Sequence, residues 1–411
     1  MRLFGDFFTA SLLLSIIYPR SMKTETNDGL SPAEKKPACA IGLEDLRRQI
    51  DETDQELVRL LARRKDLVLQ VAAVKKERGL PTHHPAREED LISARRAQAF
   101  EAGLDPDYVE DLFRTVMRNS RVGQLNSLAR RSVRPGANVL IVGGRGSMGS
   151  LFVRCFSQSG YSVRILDVDD WPQVKELTKG IDLALLAVPI AVTPSVAREL
   201  GPHLPGNCVL CDITSLKREP LAAMLRSHAG PVVGLHPLFG PDTVSMDKQI
   251  VVTTPGREPD ACQWLIDQLS LWGSVPVEAT AEEHDRTMGI VQALRHFATF
   301  AFGHYLCDRK IPISRTLEVS SPIYRLELGM VGRLFAQDPA LYAEIIFATA
   351  ERRALLRDFI ESLNSHLGMV DRGDQQAFVE QFRKVAEWFG PFSEQAMRES
   401  TFLIEKLVHR F

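Results

Sequence analysis

The sequence predicts a multidomain chain: an all-α unit first, a doubly wound α/β unit next, and an all-α unit at the C-terminal side. Three observations carry this. Apolar residues recur at three- and four-residue steps from Leu43 to Val74. Six short β-branched runs occupy the middle of the chain, several of them separated by helical segments. From Thr280 the strand signals stop, and helical periodicity continues to Phe411. The expected boundaries are residues 1–40 for a tail, 41–127 for the first helical unit, 128–138 for a linker, 139–280 for the α/β unit and 281–411 for the second helical unit.

The tail contains an apolar stretch, Phe7 to Tyr18, that falls short of the roughly 20 residues a membrane span needs. Asp6 stands where a signal peptide is basic, and no small-residue cleavage site follows. Residues 19–40 read as polar, disordered chain, Met22 as an alternative start that would leave the apolar stretch untranslated, and the protein as cytoplasmic. A formal net charge of −2 gives no global field to recruit nucleic acid or an anionic membrane. The 6 cysteines are scattered too widely for a disulfide framework. Cys208 and Cys211 lie three apart in an apolar run, where a strand points them to opposite faces and denies them a shared metal.

The first helix should run from Leu43 to the "GLP" at Gly79, a length of roughly 50 Å. A helix that outruns a small domain calls for a partner chain. A second helix follows Pro85, and a third starts at Asp105 as N-cap with Pro106 in its first turn. "RRSVRPGAN" then supplies a basic linker, and the strand runs begin at "NVLIV". The last unit opens on a capping box, Thr280 to Glu283.

Two places in this frame carry chemistry. "VLIVGGRGSMGSLF" puts Gly144, Gly146 and Gly149 between a strand and a helix, with Ser147 and Met148 in the helix's first turn. Asp167 closes the next strand 18 residues after Gly149. This is the pattern of a dinucleotide site: the helix start receives a pyrophosphate, and the acid meets the ribose hydroxyls and repels a 2′-phosphate. NAD is the expected cofactor, although Arg145 beside the loop would suit NADP. The second place is "PVVGLHPLFGPD". A lone histidine more often packs or caps than reacts, but ligands of open α/β sheets lie beyond the strands' carboxyl ends. His236 falls on that edge, as do Ser215 and Lys217 after the preceding strand. No companion ligands at metal spacing surround His236.

Taken together, "IVGGRGSMG", "DITSLK", "GLHPLFGPD", "QALRHFATFA", "SSPIYRLEL" and "MVGRLFAQDP" closely resemble prephenate dehydrogenases, and the first helical unit resembles an AroQ-class chorismate mutase. The resemblance spans residues 41–400. It implies a Rossmann-like NAD-binding domain, a helical dimerisation domain and a homodimer. The reactions it implies are rearrangement of chorismate to prephenate, then NAD-dependent oxidative decarboxylation to 4-hydroxyphenylpyruvate. By the same resemblance His236 is the catalytic hydrogen-bond acceptor at the C4 hydroxyl and Ser215 orients it. Arg333 grips a carboxylate, and His296 and Tyr342 line the same pocket, where tyrosine would exert feedback inhibition.

For the mutase, the resemblance assigns Arg47, Arg64, Lys75 and Arg87 as the cations, with Glu88, Ser120 and Gln124 completing the pocket. Lys75 and Gln124 would donate to the ether oxygen, where negative charge grows. Helix geometry sets Arg64 and Lys75 about 20° apart in azimuth and roughly 16 Å apart along the axis, so both reach one small dianion. Arg47 lies about 42 Å from Lys75 and must serve the pocket of a partner chain. His84 stands where some mutases of this class carry an acid, and no strand-rich regulatory segment follows the last helices. Two rivals remain at this stage. One is an arogenate or other hydroxy-acid dehydrogenase whose N-terminal helices only dimerise. The other is an NAD-binding sensor without chemistry.

Overall fold

The structure, a computed structural model, describes residues 42–78, 85–128, 131–243 and 245–408, without the side chains of residues 72, 75–78, 85–86 and 122–128. The expectations for residues 1–40 and for His84 fall outside the described residues.

The chain divides into two compact units, the first ending at Arg63 and the second beginning at Arg64. In the first, the opening of α1 (Leu43–Arg78) keeps Leu46, Ile50, Leu57, Leu60 and Leu61 exposed. In the second, α2 (Pro85–Glu101) and α3 (Pro106–Leu128) bury Ile92, Ala99, Val109 and Met117. Asp105 accepts from the Asp107 amide at 2.8 Å, the N-cap expected from "DPDY".

The α/β region runs β1 (Asn138–Val142), α4 (Ser147–Gln158), β2 (Ser162–Leu166), the short α5 (Val174–Leu177), β3 (Leu183–Leu186), α6 (Thr193–Leu200), β4 (Val209–Asp212), α7 (Arg218–Ser227), β5 (Val232–Pro237), β6 (Ile250–Arg257), α8 (Pro259–Leu271) and β7 (Val275–Glu278). The sheet order is β2-β1-β3-β4-β5-β6-β7. Pairing is parallel from β2 through β5, antiparallel between β5 and β6, and parallel again at β7. All six strand runs form, and β7 is an additional edge strand.

Helices cover both faces, so alternate residues of each central strand enter different cores. Val139 and Ile141 join Phe152, Phe156 and Trp272 on one face. Leu140 and Val142 join Leu200, Leu210 and Met224 on the other. Phe156 meets Trp272 edge-on at 4.8 Å between ring centres; burying an aromatic ring of this kind stabilises by roughly 1.5–3 kcal/mol. Cys211 sits in the first core and Cys208 in the second, as the strand spacing requires. No group of potential metal ligands forms among the described residues.

The helical remainder comprises α9 (Ala281–Met288), a π-helical turn (Gly289–Leu294), α10 (Arg295–Asp308), α11 (Ile313–Glu318), α12 (Pro322–Phe335), α13 (Pro339–Phe347), α14 (Ala350–Asp371), α15 (Gln375–Phe389) and α16 (Pro391–Val408). Thr280 caps α9 by accepting from the Glu283 amide at 3.1 Å. No described helix is long and apolar enough to cross a membrane.

Candidate active site

At the end of β1 the chain turns through Gly143, whose φ of +80° belongs to the left-handed region. A Cβ on Gly149 would meet the Gly143 carbonyl oxygen at 2.1 Å. The first turn of α4 thus lies directly against the loop, with Gly146 as an N-cap that offers no side-chain acceptor. Its first-turn amides, at Ser147, Met148 and Gly149, are the donors a helix start presents to an anion. Asp167 closes β2 and accepts from the Arg145 amide at 3.0 Å and the Val168 amide at 3.2 Å. The Arg145 guanidinium grips Asp170 at 2.7 and 3.3 Å, and this hydrogen-bonded pairing holds the Asp170 carboxyl below its usual range.

Along the same edge, Asp212 at the end of β4 pairs with Lys217, both fully buried. His236, next to last in β5 and only 2% exposed, sits beside them. Its Nδ1 lies 2.8 Å from Nε2 of His284, and the Gln292 amide nitrogen lies 3.2 Å from its Nε2. His284 Nδ1 is in turn 2.7 Å from Asp285 Oδ1. Asp285 also accepts from the backbone amides of Lys217 at 2.8 Å and Arg218 at 3.0 Å. Burial pushes the Asp285 carboxyl up, but the bonds from His284 and the two amides outweigh it, and the net shift is downward. Burial pulls His236 well below 6.5, helped by His284, Lys217 and Arg352, so its ring is neutral at physiological pH.

The remaining dehydrogenase candidates are arranged less tightly. Ser215 follows β4 half-buried, and no hydrogen bond joins it to His236 among the described residues; His284 and Gln292 occupy the two ring nitrogens instead. His296 packs edge-on against Tyr342, 4.7 Å between ring centres, with Arg295 3.3 Å from its Nδ1. Arg333, on α12, is exposed, and no side-chain partner is seen for it among the described residues.

Burial and then Arg295 push His296 down from 6.5 to about 4. Between those values the unfolded chain takes up a proton that the folded ring refuses. The stability contributed by the neutral ring is therefore complete above about 6.5 and lost as pH falls toward about 4. Urea midpoints across that window should decline, and His296→Gln should flatten the decline; an unchanged slope in the variant removes His296 as the cause.

In the mutase region, Arg64 donates to Ser120 Oγ at 2.6 Å, and Ser120 donates to the Val116 carbonyl at 2.8 Å. Arg64 and Arg95 share a cavity of 640 Å³ with Gln98, Leu104 and Phe113. Burial and then Arg95 lower the Arg64 guanidinium pKa. Glu88 does not point alone into a pocket: Arg121 holds both its oxygens at 2.8 Å and also meets Asp247 at 3.2 Å. Arg87 is exposed, and Arg47 pairs with Glu44 at 2.9 Å on the exposed first turn of α1. Lys75 and Gln124 lie on α1 and α3 with side chains outside the described set.

Sequence reasoning missed His284, Asp285, Gln292 and Arg95. The first two read there as part of a capped, acidic helix start, and only a long-range contact reveals their partner.

A glycine loop and a buried neutral histidine on one edge of a doubly wound sheet define a dinucleotide-dependent dehydrogenase, here in a chain with a further helical domain that holds an arginine-lined cavity. Comparison with known proteins agrees. The family model described as chorismate mutase type II matches residues 46–125. That of the prephenate dehydrogenase nucleotide-binding domain matches 159–279, and that of the prephenate dehydrogenase dimerization domain matches 280–384. The chain is 44% identical to the T-protein of Enterobacter agglomerans over 87% of its own length and 96% of the relative's. It is 43% identical to the T-protein of Haemophilus influenzae, over 89% and 97%. Its fold is similar to that of a prephenate dehydrogenase from A. aeolicus, solved with hydroxyphenyl propionate and NAD+, with a TM-score of 0.51 and 20% identity over 61% of this chain and 96% of that one. The chain belongs to the T-protein family, a chorismate mutase joined to a prephenate dehydrogenase in one polypeptide.

Proposed function

We propose that this chain rearranges chorismate to prephenate in the Arg64 cavity and oxidises prephenate at His236, with NAD as cofactor, yielding 4-hydroxyphenylpyruvate for tyrosine biosynthesis. The observation that carries the reading is His236: a buried, neutral imidazole on the carboxyl edge of the sheet, the edge from which the glycine loop also leaves β1.

The residues present fit NAD. Gly149 leaves no side chain between α4 and the loop, the first-turn amides suit a pyrophosphate, and Asp167 suits ribose hydroxyls. Arg145, the residue that would favour NADP, is engaged by Asp170. When bound, NAD would supply the acceptor for the hydride leaving C4 of prephenate. His236 accepts a hydrogen bond from the C4 hydroxyl and stabilises the carbonyl as it forms. Arg333 holds a carboxylate, with Ser215, His296 and Tyr342 around the ring. Loss of the ring carboxylate as CO₂ is driven by aromatisation. Tyrosine would inhibit by competing near His296.

In the mutase, Arg64 and Arg87, joined by Arg47 of the partner subunit, would hold the two carboxylates of chorismate in the compact conformer, Lys75 and Gln124 would donate to the ether oxygen, and Glu88 and Ser120 would complete the pocket. The working boundaries are residues 41–127, 139–280 and 281–411, with 128–138 as linker. A homodimer is supported by exposed apolar residues along α1 and by Phe378, Phe382 and the 81%-exposed Trp388 of α15.

A coupled assay tests the reading. Full-length protein given chorismate and NAD should form NADH without added prephenate, NADP should serve poorly, and the active species should sediment as a dimer. NADH from prephenate but not from chorismate would sink the mutase half; none from either would sink both.

A further inference from the structure

We infer that His284 and Asp285 are positioning residues that set the tautomer of His236 and keep its Nε2 unprotonated, as an acceptor. This rests on the reading of His236 given above.

The argument follows the donors. Asp285 receives the amides of Lys217 and Arg218 and the Nδ1 side of His284, at 2.8, 3.0 and 2.7 Å. A carboxylate met by three donors has no use for its own proton, so the hydrogen in the third contact belongs to His284 Nδ1. A neutral His284 that is protonated at Nδ1 has only a lone pair at Nε2. The 2.8 Å contact with His236 therefore runs from His236 Nδ1–H to His284 Nε2. His236 Nε2 then carries no proton, and the Gln292 amide, 3.2 Å away, faces its lone pair as a donor. An acceptor for a substrate hydroxyl needs that lone pair. Without the pair behind it, the ring could protonate at Nε2 and turn Nδ1 outward as the acceptor, away from the substrate.

The surroundings oppose the other arrangement. A protonated His284 would donate to His236 and reverse the tautomer. The charged groups facing His236 are Lys217 after β4 and Arg352 from α14, so a proton added to the His236–His284 pair would join two cations already there. Arg352 is itself buried and donates to the Ile345 carbonyl at 2.6 Å. The π-helical turn that carries Gln292 and the helix that carries His284 are consecutive, so one short segment orients both nitrogens of the ring.

The test uses His284→Gln and Asp285→Asn in the full-length dimeric enzyme, with mutase activity of the same sample as the measure of folding. Each variant should lose on the order of 10²-fold in dehydrogenase kcat. KM for prephenate should stay within a few-fold, and the acid limb of the kcat–pH profile should move. His284→Gln leaves the Asp285–amide bonds in place, so its loss cannot be assigned to the start of α7. Histidine ¹⁵N spectra supply the direct readout: an unprotonated His236 Nε2 in the parent and a mixed tautomer in both variants. Parent-like kcat and pH profile in both variants, or a parent spectrum with Nε2 protonated, would overturn the inference. If His236→Asn also keeps full activity, the reading of His236 itself fails. If His236→Asn is inactive while both variants behave as parent, only the positioning role fails.

Discussion

His236→Asn will lower prephenate oxidation by roughly 10²–10⁴-fold in kcat, the range that loss of a positioned acid–base group produces. Chorismate rearrangement in the same sample should not change. The expected size follows from where the ring sits. It is almost completely buried, and burial together with His284, Lys217 and Arg352 keeps it neutral, so a lone pair is present across the working pH range. Asparagine keeps a polar side chain of similar reach but cannot reproduce an imidazole acceptor backed by a second ring. Losing the bond to His284 costs about 1 kcal/mol of stability, too little to unfold a domain with two full cores. KM for the cofactor should hold, because the glycine loop after β1 is built from a different strand. A loss smaller than tenfold would remove His236 from the chemistry.

Arg64→Ala should lower mutase kcat/KM by on the order of 10²–10³-fold, as removal of an electrostatic donor from a reaction centre does, with prephenate oxidation unaffected. Arg64 shares its cavity with Arg95, and no carboxylate lines that cavity among the described residues. Burial first and the neighbouring Arg95 second lower the Arg64 pKa, and an anion bound there would offset both. Chorismate, a dianion, is such a ligand. Ser120 anchors the Arg64 fork at 2.6 Å, so Arg64→Lys should restore only part of the rate, supplying charge without the fork. Mutase activity within tenfold of the parent in Arg64→Ala would show that the cavity is not where chorismate reacts.

Much of this was legible in the sequence, for physical reasons that also explain the gaps. Four of the six predicted strands, β1, β3, β4 and β5, are buried on both faces, so each is a mainly apolar run bounded by turn residues. The edge strand β7, "VPVE", escaped notice because it is four residues long, contains Pro276 and is largely exposed. The glycine with positive φ is Gly143, one residue before the spaced trio, since spacing alone does not say where the turn reverses. "EHDRTMGIVQAL" reads as plain helix; the π-helical turn depends on how Gln292 and its neighbours pack. Glu88 is a substrate ligand by resemblance, whereas Arg121, itself shared with Asp247, holds it through contacts far apart in sequence. Long-range partners of this kind leave no local periodicity to read.

The placing of Cys208 and Cys211 in opposite cores has a practical side. Burial pushes Cys208 and Cys262 up to about 12 and Cys155 to about 11, and carries Cys211 well above its ordinary value. Thiolate, the form that alkylates and oxidises, is correspondingly scarce at each of them. Cys307, near the end of α10, is the exposed exception among the described residues. Among the described cysteines a maleimide dye would therefore choose the helix that continues from the π-helical turn, a labelling address written into the packing.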